Sequence, residues 1–154
     1  MDTNYSLMKD EIFMQLGNSK VMVLATSCED KVTARNMSCI MLNHKIYFQT
    51  DYLFLKTQQI YKNPNVALCV DNIQIEGTAK VKGHPDEDPE FSEGYKKYYR
   101  NSYDTYSHLK NQIVIEVEPT LITLWKYSDN RKPYREFLNL KLQNASREIY
   151  DISK

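Results

Sequence analysis

The sequence has few glycines and cysteines, and it has no long hydrophobic segment. Its four glycines form neither a Gly-x-Gly-x-x-Gly motif nor a Walker-type loop, which argues against a dinucleotide fold or a P-loop NTPase. The three cysteines, Cys28, Cys39 and Cys69, are odd in number and widely spaced. We therefore expect free thiols in a reducing cytoplasm. No segment approaches ~18 consecutive apolar residues, so we expect no membrane span.

Charge and length narrow the class of protein further. The chain has 20 Lys plus Arg and 20 Asp plus Glu, so it lacks the basic excess typical of nucleic-acid binding. Residues 1–5 have neither the basic nor the apolar region of a signal peptide, and we expect a cytoplasmic protein. His44, His84 and His108 have no metal-ligand spacing, so no metal site is predicted. The length of 154 residues indicates one domain, residues 1–154.

Hydrophobic periodicity predicts a mainly β protein with helices. Strand patterns cover residues 21–26, 32–42, 46–50, 66–70, 73–81, 113–117, 121–125 and 134–140. An N-terminal helix is predicted with Ser6 as its cap and Gly17-Asn18 as its end. A second helix, starting near Leu53, is expected to stop at Asn63-Pro64. Residues 84–111 predict one or two helices capped by Asp88, and the last dozen residues show no clear pattern.

Cations and hydroxyl side chains follow one another between residues 32 and 81. Arg35 lies in a strand pattern and is followed by the segment Asn36, Met37 and Ser38. Lys56 falls in the first turn of the second predicted helix, where free amides and the helix dipole favour an anion. Either cation alone is most simply a solvated surface residue. Together they are typical of a phosphate site with a flat ring against a β-surface.

The order of these motifs resembles the pyridoxamine-5′-phosphate-oxidase-like family, the FMN-binding split barrels. The resemblance is carried by Val-Thr-Ala-Arg-Asn-Met-Ser at 32–38, by Tyr-Phe-Gln-Thr-Asp at 47–51, and by the spacing from Thr50 through Lys56 to Asn63-Pro64. It covers roughly residues 7–127 and weakens beyond them. It implies an α+β fold, a six- to seven-stranded antiparallel split β-barrel with helical cover, and FMN as the cofactor.

The resemblance also assigns cofactor contacts along the first part of the chain. It places the FMN phosphate on Arg35, Thr50 and Lys56. It places the ring along residues 36–38, with Gln49 in the neighbouring segment. An amide side chain, Asn72 or Gln74, is expected at the ribityl chain or ring, although both positions also suit the solvent face of a strand. Many relatives carry an arginine before the lysine, where this chain has Leu55. The phosphate site therefore has one cation fewer, or another residue supplies that charge.

A third group of residues lies near the C-terminus. The spacing Trp125–x5–Arg131–x3–Arg135 resembles true pyridoxamine-phosphate oxidases, in which the tryptophan and the last arginine enclose FMN and the first arginine meets the substrate phosphate. A core position is an equal alternative for Trp125. Those enzymes have a histidine two residues after the first arginine, and here the interval is Lys132-Pro133-Tyr134. We assign Trp125 and Arg135 to FMN and Arg131 and Tyr134 to substrate, and we do not expect oxidation of vitamin-B6 phosphates.

Three functions are compatible with the sequence. The first is an FMN-dependent oxidoreductase acting on a small molecule, with a nicotinamide donor as one candidate partner. The second is a non-enzymatic flavin- or haem-binding split barrel. The third, a nucleic-acid binder using exposed tyrosines, is disfavoured by the zero net charge. The resemblance further implies a homodimer with FMN between the subunits, the cations coming from one chain and Trp125 or Arg135 from the other.

Overall fold

The computed structural model describes residues 3–154 of the chain. The helices are α1 (Thr3–Leu16), α2 (Leu55–Lys62), α3 (Pro89–Tyr98) and α4 (Arg100–Tyr106), with a 3-10 turn at Pro85–Glu87. The strands are β1 (Ser19–Cys28), β2 (Lys31–Leu42), β3 (Lys45–Asp51), β4 (Asn65–Val70), β5 (Ile73–Gly83), β6 (Gln112–Tyr127), β7 (Pro133–Asn139) and β8 (Asn144–Ile149). Of the helices in this range, none combines the length and apolar content needed to span a bilayer.

Six antiparallel strands of the described chain close into a barrel. Their order is β3-β2-β1-β4-β5-β6, and β6 pairs back onto β3. Strands β7 and β8 continue the sheet beyond β6. The mainly β fold, the antiparallel barrel and its helical cover are therefore confirmed. Strand β8 is an addition that the sequence pattern does not predict.

The barrel interior is filled by one side of each strand. Leu24, Leu68, Ile75 and Ile122 are register partners on four successive strands, and each is at most 1% exposed. Because side chains alternate between the two faces of a strand, the intervening residues point outward. On the outside, α3 covers part of β2 with a second apolar cluster that includes Phe91.

The barrel is split between β2 and β3. Strand β2 pairs with β1 from Lys31 to Ile40, but it pairs with β3 only through Ile40–Leu42. No strand of the described chain pairs with the other edge of β2 between residues 31 and 39. Helix α2 packs against β1 at this open end. The split therefore leaves a free strand edge beside a helix start.

Helix ends agree with the sequence in most places. Gly17 ends α1 in the left-handed region, with φ of 69°, and its N–H donates to the carbonyl of Phe13 at 3.0 Å. Asp88 caps α3, because its Oδ1 accepts from the N–H of Phe91 at 3.1 Å. The prediction that Ser6 caps α1 is wrong, since the helix begins at Thr3. A cap position before Thr3 lies outside the described residues.

The two C-terminal strand patterns around Pro119 form a single strand, β6. Pro119 stands opposite Gly77, where the pairing of β5 and β6 shifts register between Glu76 and Gly77. A proline has no N–H to donate to a ladder, so an irregular pairing of this kind is where a strand accepts one. The bulge therefore lets one 16-residue strand pair with β3, β5 and β7.

Candidate functional site

Lys56 and Thr50 meet at the open end of the barrel. Nζ of Lys56 donates to Oγ of Thr50 at 2.9 Å, and the same ammonium lies 4.8 Å from the centre of the Phe54 ring. Thr50 is 6% exposed and lies on the same face of β3 as the core residue Phe48. Burial, and then the positive charge of Arg35, lower the pKa of Lys56, against a smaller opposite effect of Asp51.

The first turn of α2 is available to an acceptor from outside the helix. Phe54 is the N-cap residue in an extended conformation, and its side chain makes no capping hydrogen bond. The loop before the helix is held instead by Asp51, whose backbone carbonyl accepts from Oγ of Thr57 at 2.9 Å and whose Oδ1 accepts from the N–H of Leu53 at 2.8 Å. The N–H of Thr57 donates to the carbonyl of Phe54 at 3.0 Å, so the amides of Leu55 and Lys56 are the ones that favour an anion at this position.

Arg35 reaches the same end of the barrel from β2. It is the register partner of Leu24, so it points to the barrel side of the strand. Its Nη1 donates to Oγ of Thr26 at 2.8 Å and to the carbonyl of Leu24 at 3.3 Å, and its Nη2 donates to Oγ of Thr33. Burial lowers the pKa of Arg35, but a guanidinium stays charged in proteins.

The two cations have no carboxylate partner in the described part of the chain. The ion pairs between residues 3 and 154 involve other side chains. Two neighbouring positive charges that are partly withdrawn from water repel each other. A bound anion would relieve that repulsion, and a phosphate matches both the arginine fork and the ammonium. The donor set of Arg35, Thr50 and Lys56 therefore fits the phosphate of FMN.

The next residues of β2 lie along the free strand edge. Asn36 is exposed, Met37 packs against the core, and Ser38 is partly buried. Unpaired N–H and C=O groups of an open strand edge can hydrogen-bond the polar rim of a flat ring. The arrangement fits the predicted role of residues 36–38.

Gln49 and the two other predicted amides, Asn72 in the β4–β5 turn and Gln74 on β5, are held differently. Gln49 is buried, and its Oε1 accepts from Oγ of Ser107 at 2.9 Å, so its side chain lies on the other face of β3 from Thr50. Asn72 ties the β4–β5 turn, donating to the carbonyl of Trp125 at 3.0 Å. Gln74 is exposed. The structure joins none of these three side chains to Lys56 through a described contact.

The C-terminal group forms a second, separate cluster on β6, β7 and the turn between them. Trp125 is 38% exposed, which excludes a core position, and its ring contacts Tyr127 and Tyr150 at centroid distances of 6.0 and 5.9 Å. Arg135, its register partner, pairs with Glu148 at 2.6 Å.

The predicted substrate residues lie in the same region. Arg131 is exposed in the β6–β7 turn with φ of 57°. The ring of Tyr134, at the start of β7, lies 4.6 Å below the guanidinium of Arg147. Tyr134 pairs with Lys126, one position away from the pair of Trp125 and Arg135. Because side chains alternate along a strand, the ring of Tyr134 lies on the opposite face of the sheet from Trp125.

The two clusters lie apart within the chain. Thr50 pairs with Ile113 at the beginning of β6, whereas Trp125 lies near the end of that strand. No described contact links Trp125, Arg131 or Arg135 with the two cations. The positions assigned to one cofactor site thus fall into two groups along β6.

Sequence reasoning misses three residues that hold Arg35 in place: Thr26, Thr33 and Gln59. Gln59 is 3% exposed although it is polar, and its Oε1 accepts from both threonine hydroxyls. The signal in the sequence is Gln59 one helical turn after Lys56, next to the apolar position Ile60. Thr26 also continues the inward positions of β1 after Leu24. Recognising the link requires knowing that α2 packs on β1.

A cavity of about 340 Å³ with Leu55 and Gln59 in its lining adjoins the cations but does not include them. Two other cavities also have neither Arg35 nor Lys56 in their lining. One cavity of about 540 Å³ lies beside the β2–β3 turn and has Lys9, His44 and Lys141 in its lining. Another, of about 340 Å³, lies between β1, β4 and β5 and includes Gly77. Neither contains two uncompensated cations beside a free strand edge. We therefore take the cation cluster beside the free edge of β2 as the candidate site.

The sequence matches the family description Pyridoxamine 5′-phosphate oxidase over residues 8–126. This match covers most of the chain, so the protein belongs to the pyridoxamine 5′-phosphate oxidase family. Among curated proteins, none matches the sequence significantly.

Solved structures share the fold. General Stress Protein 26 from Bacillus anthracis is 23% identical, with a TM-score of 0.64 over 86% of this chain and 98% of that one. PhzG from Burkholderia lata, in complex with tetrahydrophenazine-1-carboxylic acid, is 13% identical, with a TM-score of 0.66 over 98% and 97%. A pyridoxamine 5′-phosphate oxidase-related, FMN-binding protein from Nostoc punctiforme is 14% identical, with a TM-score of 0.60 over 97% and 96%.

Proposed function

We propose that the protein binds FMN in the split between β2 and β3 and works as an FMN-dependent oxidoreductase on a small molecule. The observation that carries the proposal is the pair of cations, Arg35 and Lys56, which lie near enough for Arg35 to lower the pKa of Lys56. Neither has a carboxylate ion-pair partner in the described chain, and Lys56 donates to Thr50. Family membership and an FMN-binding protein of the same fold support it. The free thiols suit a reducing cytoplasm, where we place the protein.

The residues of this chain would bind and orient the cofactor. Arg35 and Lys56 hold the phosphate, and the backbone edge of residues 36–38 holds the polar rim of the ring. When bound, FMN supplies hydride and electron transfer itself. The protein then needs no acid–base pair of its own, and its contribution is position and electrostatics.

We propose that the substrate docks near Arg131 and Tyr134. Arg131 is exposed on a turn and can meet an anionic group, while Tyr134 offers an aromatic face. The interval Lys132-Pro133-Tyr134 has no histidine. Pyridoxine phosphate should therefore be a poor substrate that reduces the flavin slowly, even with FMN bound. The ligand in the PhzG complex, tetrahydrophenazine-1-carboxylic acid, makes aromatic acids a sensible first panel, together with NADH, NADPH and nitroaromatics.

We also propose a two-fold homodimer with FMN at the subunit interface. Two features support it: the two predicted halves of the site lie apart on one chain, and an apolar surface adjoins the cations. Tyr52, Leu53, Phe54 and Leu55 are four consecutive residues that are each 39–61% exposed, and large exposed apolar patches commonly mark interfaces. In the dimer, Trp125 and Arg135 of one subunit would approach Arg35 and Lys56 of the other.

The experiment that tests the proposal is a spectrum of the purified protein followed by titration of the apo-protein. We expect flavin absorption, and we expect tighter binding of FMN than of riboflavin, which lacks the phosphate. A colourless protein that binds neither compound would contradict the proposal. A Soret band would favour haem, and an FMN-loaded protein inert toward the whole panel would favour binding without turnover.

A further inference from the structure

A buried polar network connects helix α2 to Arg35. Oε1 of Gln59 accepts hydrogen bonds from Oγ of Thr26 at 2.6 Å and from Oγ of Thr33 at 2.9 Å. Its amide nitrogen donates to the carbonyl of Lys31 at 3.1 Å. Gln59 is 3% and Thr26 2% exposed. The amide is thus fixed in one orientation, with its oxygen toward the two hydroxyls.

This orientation determines what the hydroxyls can offer to Arg35. A threonine hydroxyl has one hydrogen to donate and lone pairs that accept. Because Thr26 and Thr33 both give their hydrogen to Gln59, both turn their lone pairs toward the guanidinium. Nη1 of Arg35 donates to Thr26 at 2.8 Å, and Nη2 donates to Thr33. The hydrogen bonds therefore run in one direction, from Arg35 through the threonines to Gln59.

The network occupies only one side of the guanidinium. The side formed by Nη1 and Nη2 is taken by the two hydroxyls and by the carbonyl of Leu24. Nε–H and the second Nη2–H have no acceptor among residues 3–154. These two N–H groups are parallel and lie on the same side, which is the geometry that binds a phosphate through two hydrogen bonds.

We propose that Gln59 is a positioning residue for phosphate: through Thr26 and Thr33 it holds Arg35 with the Nε/Nη2 side free for two hydrogen bonds to the ligand. Gln59 follows Lys56 by three residues on α2, so the same network also sets the separation of the two cations. This inference rests on the proposed FMN site and assigns a role to residues that would not touch the cofactor.

The test uses isosteric variants and two ligands that differ only in the phosphate. Thr26→Val removes the hydroxyl at nearly constant shape, and Thr26→Ser keeps it. Dissociation constants for FMN and riboflavin are measured by flavin fluorescence quenching on the apo-protein. We expect Thr26→Val to weaken FMN roughly tenfold, the scale of a hydrogen bond at a charged group, with riboflavin changed less than twofold. Thr26→Ser should bind both ligands as the unmodified protein does.

Two further variants keep the test decisive. Thr78 is exposed on β5, so Thr78→Val controls for the Thr-to-Val change itself and should alter neither constant. Thr33 is only partly buried, so Thr33→Val carries the same test if Thr26→Val does not fold. The thermal midpoint of each variant reports folding separately from binding.

Three results would overturn the inference. An unchanged FMN constant in both valine variants would show that Arg35 does not need the hydroxyls. Equal losses of FMN and riboflavin would show a structural role only. An unmodified protein that binds FMN no better than riboflavin would overturn the phosphate site, and this inference with it. The first two results would leave the proposed function intact and reject only the role of Gln59.

Discussion

Lys56 on α2 and Thr50 on β3 are joined by a hydrogen bond of 2.9 Å between Nζ and Oγ, across the open end of the barrel. The bond uses one of the three N–H donors of the ammonium. The buried hydroxyl of Thr50 fixes the position of the Lys56 ammonium group. Burial and the nearby Arg35 lower the pKa of that lysine. An ammonium group held in this way can bind an anion from outside the chain, because it has no ion-pair partner among the described residues.

The first prediction is that Lys56→Ala weakens FMN binding by about 1.5–3 kcal/mol, the scale of a hydrogen bond to a charged group. Riboflavin, which has no phosphate, should bind as before. Lys62→Ala is the matched control, because Lys62 is exposed in the last turn of the same helix. Titration of each apo-protein with both flavins measures the effect. An FMN affinity that is the same in Lys56→Ala and Lys62→Ala would reject the phosphate assignment.

The second prediction concerns assembly. Leu53 is 61% exposed beside the cations, and a carboxylate placed in an apolar interface carries a large desolvation cost. We expect the FMN-loaded protein to have twice the 18.2 kDa chain mass by light scattering, and Leu53→Asp to be monomeric with weak FMN binding. Met14→Asp, at an 82% exposed position of α1, should stay dimeric. An FMN-loaded monomer of the unmodified protein at micromolar concentration would contradict the dimer.

Mixing two defective variants tests whether the site is shared between subunits. Lys56→Ala and Arg135→Ala should each bind FMN poorly. If the two residues come from opposite chains, a heterodimer of these variants has one fully intact site and one doubly defective site. We expect tight FMN binding to return after mixing and subunit exchange, at up to one site per heterodimer. No recovery in a mixture shown to contain heterodimers would show that the two residues of each site come from the same chain. Normal FMN binding by Arg135→Ala alone would place Arg135 outside the site.

Much of the fold could be predicted from local patterns. Residues 73–81 alternate strictly between apolar and polar side chains, and they form β5 with the apolar set inside. Gly17 and Asp88 are residues whose backbone freedom or side-chain acceptor suits a helix end, and both act there. Local sequence preferences predict these elements correctly because the tertiary packing favours the same conformations.

Other features could not be predicted because they depend on distant parts of the chain. Strand β8 is mostly exposed on both faces, so its residues show no apolar alternation. The link from Gln59 to Arg35 spans β1, β2 and α2 and has no local motif. For Arg35 and Lys56 the sequence spacing indicated a shared role, and the structure brings them together. In the proposed dimer, the place of Trp125 relative to them would involve a second subunit, which no single-chain pattern encodes.

The fourth prediction is a loss of stability in Gly77→Ala. A β-carbon on Gly77 would lie 2.7 Å from Cγ1 of Val117 and 2.8 Å from the carbonyl oxygen of Glu118, and the backbone oxygen cannot move without disturbing β6. We expect a loss of about 1–3 kcal/mol, typical of overpacking, in urea denaturation. Gly94→Ala is the control, because its β-carbon would meet only the tip of Ile40 at 3.1 Å and alanine favours a helix. Equal stability of the two variants would contradict this reading of the bulge.

The last prediction is the pH dependence of phosphate recognition. Lys56 must be protonated to attract the phosphate, and its pKa in the free protein is lowered by burial and by Arg35. The ratio of FMN to riboflavin affinity should therefore be level near neutral pH and fall as pH rises through that pKa. The fall should begin below ~10.4, where an ordinary lysine titrates. Because the isoalloxazine ring is common to both ligands, its own titration cancels in the ratio. Lys56→Arg keeps its charge throughout, so its ratio should stay level. A fall of equal size in both proteins would assign the titration to another group.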